Sequence, residues 1–128
     1  MKIPHHLRRT AGNSGEKLAA RHLARHGLKP VESNYQCRQG EIDLIAMDGE
    51  TLVFIEVKLR QGDSHGSAIE TVTKQKQQRI ILCARHFLMQ HSRFANCPCR
   101  FDIVGITASQ GAQGYEIVWL KDAFQAAW

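Results

Sequence analysis

No stretch of this chain approaches the roughly 20 consecutive apolar residues that cross a bilayer as a helix, so a membrane-spanning helix is not expected. The opening Met1-Lys2-Ile3-Pro4-His5-His6 has basic residues with no apolar segment behind them, so a secretory signal is not expected either, and the expected location is cytoplasmic. There is no internal repeat, low-complexity tract or inter-domain linker. Cysteine is sparse: Cys37, Cys83, Cys97 and Cys99. Cys97-Pro98-Cys99 is one residue tighter than a usual zinc knuckle and the other two thiols lie far off. Free, partly buried thiols in a reducing compartment are the expectation, with a structural zinc as the lesser alternative. Acidic residues are nearly missing from the first 29 positions. Lys2, Arg8, Arg9, Lys17, Arg21, Arg25 and Lys29 face Glu16 alone there, and four of the seven histidines lie in the same stretch. The rest of the chain carries ten basic and eleven acidic residues, so the net charge of +5 is a local feature. It reads as a polyanion-binding surface or, equally, as a solvated helix face.

What is present fits one globular domain. A chain of 128 residues, 43% hydrophobic and 23% charged, can bury about two-thirds of its unfolded surface around a single core. The expected domain is 1–128, with 1–12 as a flexible basic N-terminal segment. A helix is expected from Asn13 to about Gly27, because Gly15, Leu18, Ala19, Ala20 and Leu23 fall on one arc, with Gly27 and Pro30 as stop signals. Three strands follow: a ragged Val31 to Arg38, then Glu41 to Met47 and Leu52 to Arg60, the last two joined by a tight turn at Asp48-Gly49-Glu50. After a loop over 61–68, a second helix runs from about Thr73 to Gln90 with Ile80, Ile81, Ala84, Phe87 and Leu88 facing the core. Arg100 to Ile106 and Tyr115 to Leu120 are two more strands, and Asp122 to Trp128 suggests a closing helical turn. The order α-β-β-β-α-β-β predicts an α/β fold: a five-stranded mixed sheet with a helix on each face, the second helix crossing over between parallel strands.

The chemistry concentrates in Gly40-Glu41-Ile42-Asp43-Leu44-Ile45-Ala46 and Val53-Phe54-Ile55-Glu56-Val57-Lys58. Side chains alternate along a strand, so Glu56 and Lys58 share a face with Leu52 and Phe54, while Val53, Ile55, Val57 and Leu59 form an apolar face expected to be buried. If the hairpin loop is even and Asp48 faces Thr51, Asp43 stands opposite Glu56, with Ile42, Leu44 and Ala46 on the apolar side. An odd loop or a bulge would turn Asp43 away. Two facing carboxylates repel, and a divalent cation removes that penalty. Hard oxygen ligands with open positions suit Mg²⁺ or Mn²⁺ better than zinc. Such a metal can polarise a phosphodiester, with Lys58 orienting water or stabilising the transition state. The bland alternative is a charged hairpin edge with an ordinary Glu56–Lys58 pair.

Asp43 followed by Glu56-Val57-Lys58 resembles the PD-(D/E)xK motif of restriction-endonuclease-like nucleases, a group that includes Holliday junction resolvases. The set Gly15-Glu16-x-Leu-Ala, Asn34-Tyr35, Arg38, Gly40-Glu41-Ile42-Asp43-Leu44-Ile45, Phe54-Ile55-Glu56-Val57-Lys58, Lys74 with Lys76, and Arg100-Phe101-Asp102 is similar to the bacterial YraN-like proteins, over about Gly12 to Phe124. The resemblance implies a restriction-endonuclease-like core and metal-dependent hydrolysis of DNA, ahead of RNA, with branched or structured DNA in view. It implies Asp43 and Glu56 as metal ligands, the Val57 carbonyl as a backbone ligand, Lys58 as the catalytic lysine, and Glu16 as a further carboxylate at the metal. Ile42 replaces the motif's proline, which carries no chemistry. Leu59 stands where a small polar residue is commoner.

The remaining candidates are weighed on the residues themselves. Glu16 points inward on the helical wheel, yet Asn13-x-x-Glu16 also fits a capping box, and both roles can hold at once. Arg38, Arg60, Lys74 and Lys76 read as phosphate contacts, the two lysines at a helix start where backbone N–H groups favour anions. Glu41 is expected to pair with a nearby cation, and the His65-Gly66 loop offers a substrate contact or a solvated histidine. Asp102 reads as an edge salt bridge, and Tyr115, Trp119 and Trp128 as packing residues, with no aromatic stacking platform. A non-cleaving nucleic-acid-binding module on the same fold is the alternative function. One domain offers one cutting site, so a double-strand or junction cut would require a homodimer.

Overall fold

The computed structural model describes residues 5–60, 72–108 and 114–127. Helix α1 (His5–Arg25) leads into β1 (Lys29–Cys37), β2 (Gly40–Asp48) and β3 (Thr51–Arg60); α2 (Lys74–Gln90) and a single 3-10 turn at Ser92–Phe94 precede β4 (Cys99–Ala108) and β5 (Tyr115–Phe124). The five strands form one sheet in sequence order. All neighbours are antiparallel except β3 and β4, which run parallel from Leu52↔Cys99 to Arg60↔Thr107 with α2 as their crossover. This is the mixed α/β sheet with two flanking helices that the periodicities predict. The expected 61–68 loop with His65 and Gly66, residues 109–113 and Trp128 lie outside the described residues.

The sheet buries both faces. On the α2 side Leu52, Phe54, Phe101, Ile103 and Phe124 meet Ile80, Ala84 and Phe87, and on the α1 side Val53, Ile55, Val104 and Ile106 meet Ala19 and Leu23. Phe54 stacks on Phe101 at 5.4 Å and Phe101 on Phe124 at 5.0 Å. Each such pair adds about 0.5–1.5 kcal/mol beyond area burial. Helix α2 starts where its chemistry demands, with the Thr73 hydroxyl accepting from the Lys76 N–H at 3.1 Å. The β2–β3 turn is an even, two-residue loop: Asp48 pairs with Thr51, and Gly49 takes φ +61° while Glu50 does not turn positive, a type II′ pattern.

Six expectations need correction. Helix α1 begins at His5 rather than near Asn13, so residues 5–12 are helical and Asn13 lies inside the helix, not at its N-cap. Ile42 packs in the α2 layer while Leu44 and Ala46 pack in the α1 layer, so strict alternation fails around Asp43. Leu59, expected on the buried apolar face, is 54% exposed near the end of β3, with Gly15 of α1 close against it. Residues 122–124 continue β5 instead of forming a helical turn, carried by a register shift opposite Phe101/Ile103 and a left-handed Asp122 at φ +53°. Asp102 is no edge residue. It lies on an interior strand, 1% exposed, and its carboxylate accepts from Arg100 Nε and Nη2, the Trp119 indole and the Asp122 N–H, all at 2.9–3.0 Å. Arg100 also reaches Asp48 at 3.0 Å, tying the hairpin tip to β4. Trp119 therefore packs as expected, whereas Tyr115 is exposed.

Candidate active site

The geometry starts from the end of one ladder. The β2–β3 pairing stops at Leu44↔Ile55, and beyond it the two strands part. Asp43 sits at that fork. Its Oδ2 takes the place of a strand carbonyl and accepts from the Val57 N–H at 2.8 Å. In a strand the N–H and C=O of one residue point to the same edge, so the Val57 carbonyl also faces the fork, outside the ladder. Glu56, one residue earlier on β3, points to the α2 side. Asp43 and Glu56 are 9% and 5% exposed. The sequence placed them across a hairpin, and the even loop does bring them together, although at a splayed end and not as a ladder pair.

Burial and the neighbouring Glu56 push the Asp43 carboxyl up to about 8, against the stabilising N–H of Val57. Glu16 approaches from α1. Burial raises its carboxyl, the Asn34 side chain acts the other way, the charges of Glu41 and Glu56 raise it further, and the Asp43 side chain lowers it. Two backbone features allow this approach. Gly15 is buried, and a Cβ there would fall 2.6 Å from Leu59 Cδ2, so at this approach of α1 to β3 any larger residue would have to displace the end of the Leu59 side chain. Asn34 adopts φ +54°, a left-handed conformation that asparagine tolerates better than most residues, and it lies beside Tyr35, which packs edge-on against Phe87 at 5.1 Å. Asn34 is thus a site residue that the sequence reading did not single out for a role. The ragged β1 pattern and an asparagine within it were the available signal.

Two ammonium groups offset Glu56: Lys76 Nζ at 3.2 Å and Lys58 Nζ at 3.8 Å, both from Oε2. Lys76, expected as a phosphate contact, is therefore the nearer cation of the acidic pair, a tertiary contact that helical spacing cannot reveal. Arg38 is exposed in the β1–β2 turn and Lys74 is exposed in the first turn of α2, and among the described residues neither forms an ion pair with Asp43, Glu56 or Glu16. Arg60 ends β3, its side chain lying outside the described residues. Along α1, Lys17, Arg21 and Arg25 are all exposed at four-residue spacing and make one basic stripe leading away from Glu16.

A cation fits this chemistry. Two buried carboxylates, one of them held protonated at neutral pH, are what a divalent ion would relieve, and the Val57 carbonyl adds a hard oxygen. Among the described residues no three His, Cys, Asp or Glu side chains stand at mutual ligand spacing. The close donors are therefore Asp43 and Glu56, with Glu16 at the rim, a set that suits Mg²⁺, which keeps several waters and takes one or two carboxylates. The four cysteines are free: Cys83 buried, the others half-buried. No helix among the described residues is long and apolar enough to cross a membrane.

Residues 15–106 match the model of a family described as Uncharacterised protein family UPF0102. The chain is 49% identical over 113 residues to a UPF0102 protein of Saccharophagus degradans, covering 88% of this chain and 91% of that one. It is 48% identical over 117 residues to a UPF0102 protein of Nitrosococcus oceani, covering 91% and 93%, and 44% identical over 117 residues to one from Stutzerimonas stutzeri, covering 91% and 96%. Glu16, Asn34, Asp43, Glu56, Lys58 and Lys76 all fall inside the matched span.

Proposed function

We propose that this chain, which belongs to the uncharacterised protein family UPF0102, is a metal-dependent endonuclease acting on nucleic-acid phosphodiesters, DNA ahead of RNA. The observation that carries this reading is the buried Asp43–Glu56 pair at the β2–β3 fork, with two lysines on one of its oxygens. A carboxyl held near 8 beside a second buried carboxyl costs stability, and folds keep such pairs where chemistry uses them. Asp43, Glu56 and the Val57 carbonyl would hold Mg²⁺ or Mn²⁺, with Glu16 completing the rim. When bound there, the cation polarises the scissile phosphate and makes a neighbouring water more acidic. Lys58, projecting from the same strand face as Glu56, orients the attacking water and offsets charge that builds on the phosphate oxygens. Asn34, whose side chain favours the charged form of Glu16, would hold Glu16 toward the pair. The exposed stripe of Lys17, Arg21 and Arg25, together with Lys74, Arg38 and Arg60, supplies phosphate contacts that position substrate without reading sequence. One chain carries one such site, so cutting both strands of a duplex or junction calls for a homodimer.

The test is incubation of branched, single-stranded and duplex DNA with the protein and Mg²⁺ or Mn²⁺, beside Asp43→Ala and Lys58→Ala. The expected outcome is cleavage by the wild type and a loss of about a hundredfold or more in each variant. Equal residual cutting in the variants would identify a contaminant. Tight, salt-dependent binding with no cleavage of any substrate would instead favour a non-cleaving binding module on the same fold.

A further inference from the structure

Both ammonium groups beside the acidic pair converge on a single atom, Glu56 Oε2, at 3.2 Å for Lys76 and 3.8 Å for Lys58. A cation binding Glu56 through Oε2 must share or take an oxygen already held by two positive charges, and one binding through Oε1 brings a third positive charge onto the same carboxylate. The two lysines differ in how easily they leave. Lys58 issues from β3 two residues beyond Glu56, on the same face, and the parallel β3–β4 ladder fixes both Cα positions. Lys76 issues from the first turn of α2. Its backbone N–H is fixed by Thr73, but its side chain is 38% exposed, so the four-carbon arm can swing into water without moving the helix.

Resting on the metal-site reading above, we propose that Lys76 is the displaceable counter-ion of this site: its ammonium sits on Glu56 Oε2 in the metal-free protein and leaves that oxygen when a divalent cation binds. Like charges a few ångströms apart in a partly desolvated pocket repel by several times their strength in bulk water, so joint occupancy of one oxygen is disfavoured. The contact thus does two jobs in sequence. It neutralises a buried carboxylate while the site is without metal, and it frees a cation at a helix start when the metal arrives, beside the exposed Lys74, where a phosphodiester can meet it.

The test titrates Mn²⁺ alone into the full chain at fixed ionic strength, read by calorimetry, for wild type, Lys76→Met, Lys76→Gln and Asp43→Ala. Both Lys76 variants are expected to bind Mn²⁺ about tenfold more tightly than wild type, since a competing charge is gone, and Asp43→Ala is expected to lose binding. Unchanged or weaker Mn²⁺ affinity in the Lys76 variants, with Asp43→Ala still abolishing it, would overturn the counter-ion role and leave the metal site standing. No uptake by any of the four proteins would overturn both. A second measurement needs no variant: amine acylation of wild type, read by mass spectrometry, should label Lys76 faster once Mg²⁺ is added, with a smaller change at Lys58. Identical Lys76 labelling with and without Mg²⁺ would also overturn the proposal.

Discussion

The carboxyl of Asp43 lies where the fold favours its protonated form, and that has a measurable sign. Its folded value of about 8 exceeds the ordinary 3.8, so the unfolded chain releases this proton first as pH rises. The penalty is absent below about 4, grows between 4 and 8, and is complete above 8; the raised Glu16 carboxyl acts in the same direction. Without divalent cations the protein should therefore lose stability as pH rises across that window. Asp43→Asn should remove most of the loss, because the amide oxygen still accepts from Val57 while the charge is gone. We expect this variant to be more stable than wild type at pH 8 by at least about 1.4 kcal/mol, the equivalent of one unit of displacement. Denaturant melts at pH 5 and pH 8 in a chelator read this directly. A variant less stable than wild type at both would show that Asp43 is a structural acceptor and not a strained functional acid.

Helix α1 is seated by one missing methyl. At Gly15 the helix backbone closes onto Leu59, one residue before Glu16, whose carboxyl feels the acidic pair. Alanine in a helix ordinarily gains about 0.5–1 kcal/mol over glycine, but here the new Cβ must push aside a leucine terminus. Gly15→Ala in wild type should yield little or no gain in urea unfolding. In a Leu59→Ala background the same change should recover the full helical gain. An equal effect in both backgrounds would mean the contact does not govern how α1 sits. The element boundaries show what sequence could and could not reveal. Helix α2 was legible, since Thr73 caps it and its apolar face repeats at helical spacing. The start of α1 was not, because residues 5–12 carry no apolar rhythm and Asn13-x-x-Glu16 imitates a cap. The tight hairpin was legible from Asp48-Gly49-Glu50, its even loop only as a condition that the Asp48–Thr51 pair meets. The fork that follows it was not, because residue types do not encode where two strands part.

At the scale of the whole molecule, the acidic site and the structural network around Asp102 lie on opposite faces of one sheet: Asp102 pairs with Ile55, next to Glu56, but alternates with Phe101 and Ile103 of the α2 layer. Four donors from three residues of β4 and β5 satisfy the Asp102 carboxylate, and Arg100 carries that network on to Asp48. Asp102→Asn puts an NH₂ where donors already point. It should cost about 3–5 kcal/mol in urea unfolding, while leaving any Mn²⁺ uptake of the folded fraction intact. A cost below about 1 kcal/mol would mean the network is dispensable. Strand alternation placed Asp102 on β4 and on one face with Arg100, but was silent about Trp119 and Asp122, which come from a strand about twenty residues on. The same limit hid the Lys76–Glu56 contact, whereas the co-facial Glu56 and Lys58 needed only the two-residue period. The Val57 amide offers a last consequence. Its proton points at a carboxylate oxygen of Asp43 rather than at a neighbouring backbone. In a nuclear magnetic resonance spectrum that one resonance should move with the charge on Asp43, drifting with a midpoint near pH 8 in chelator and jumping to a new position when a divalent ion is added. The fold thus carries an internal gauge of its own occupancy, readable without substrate, dye or mutation.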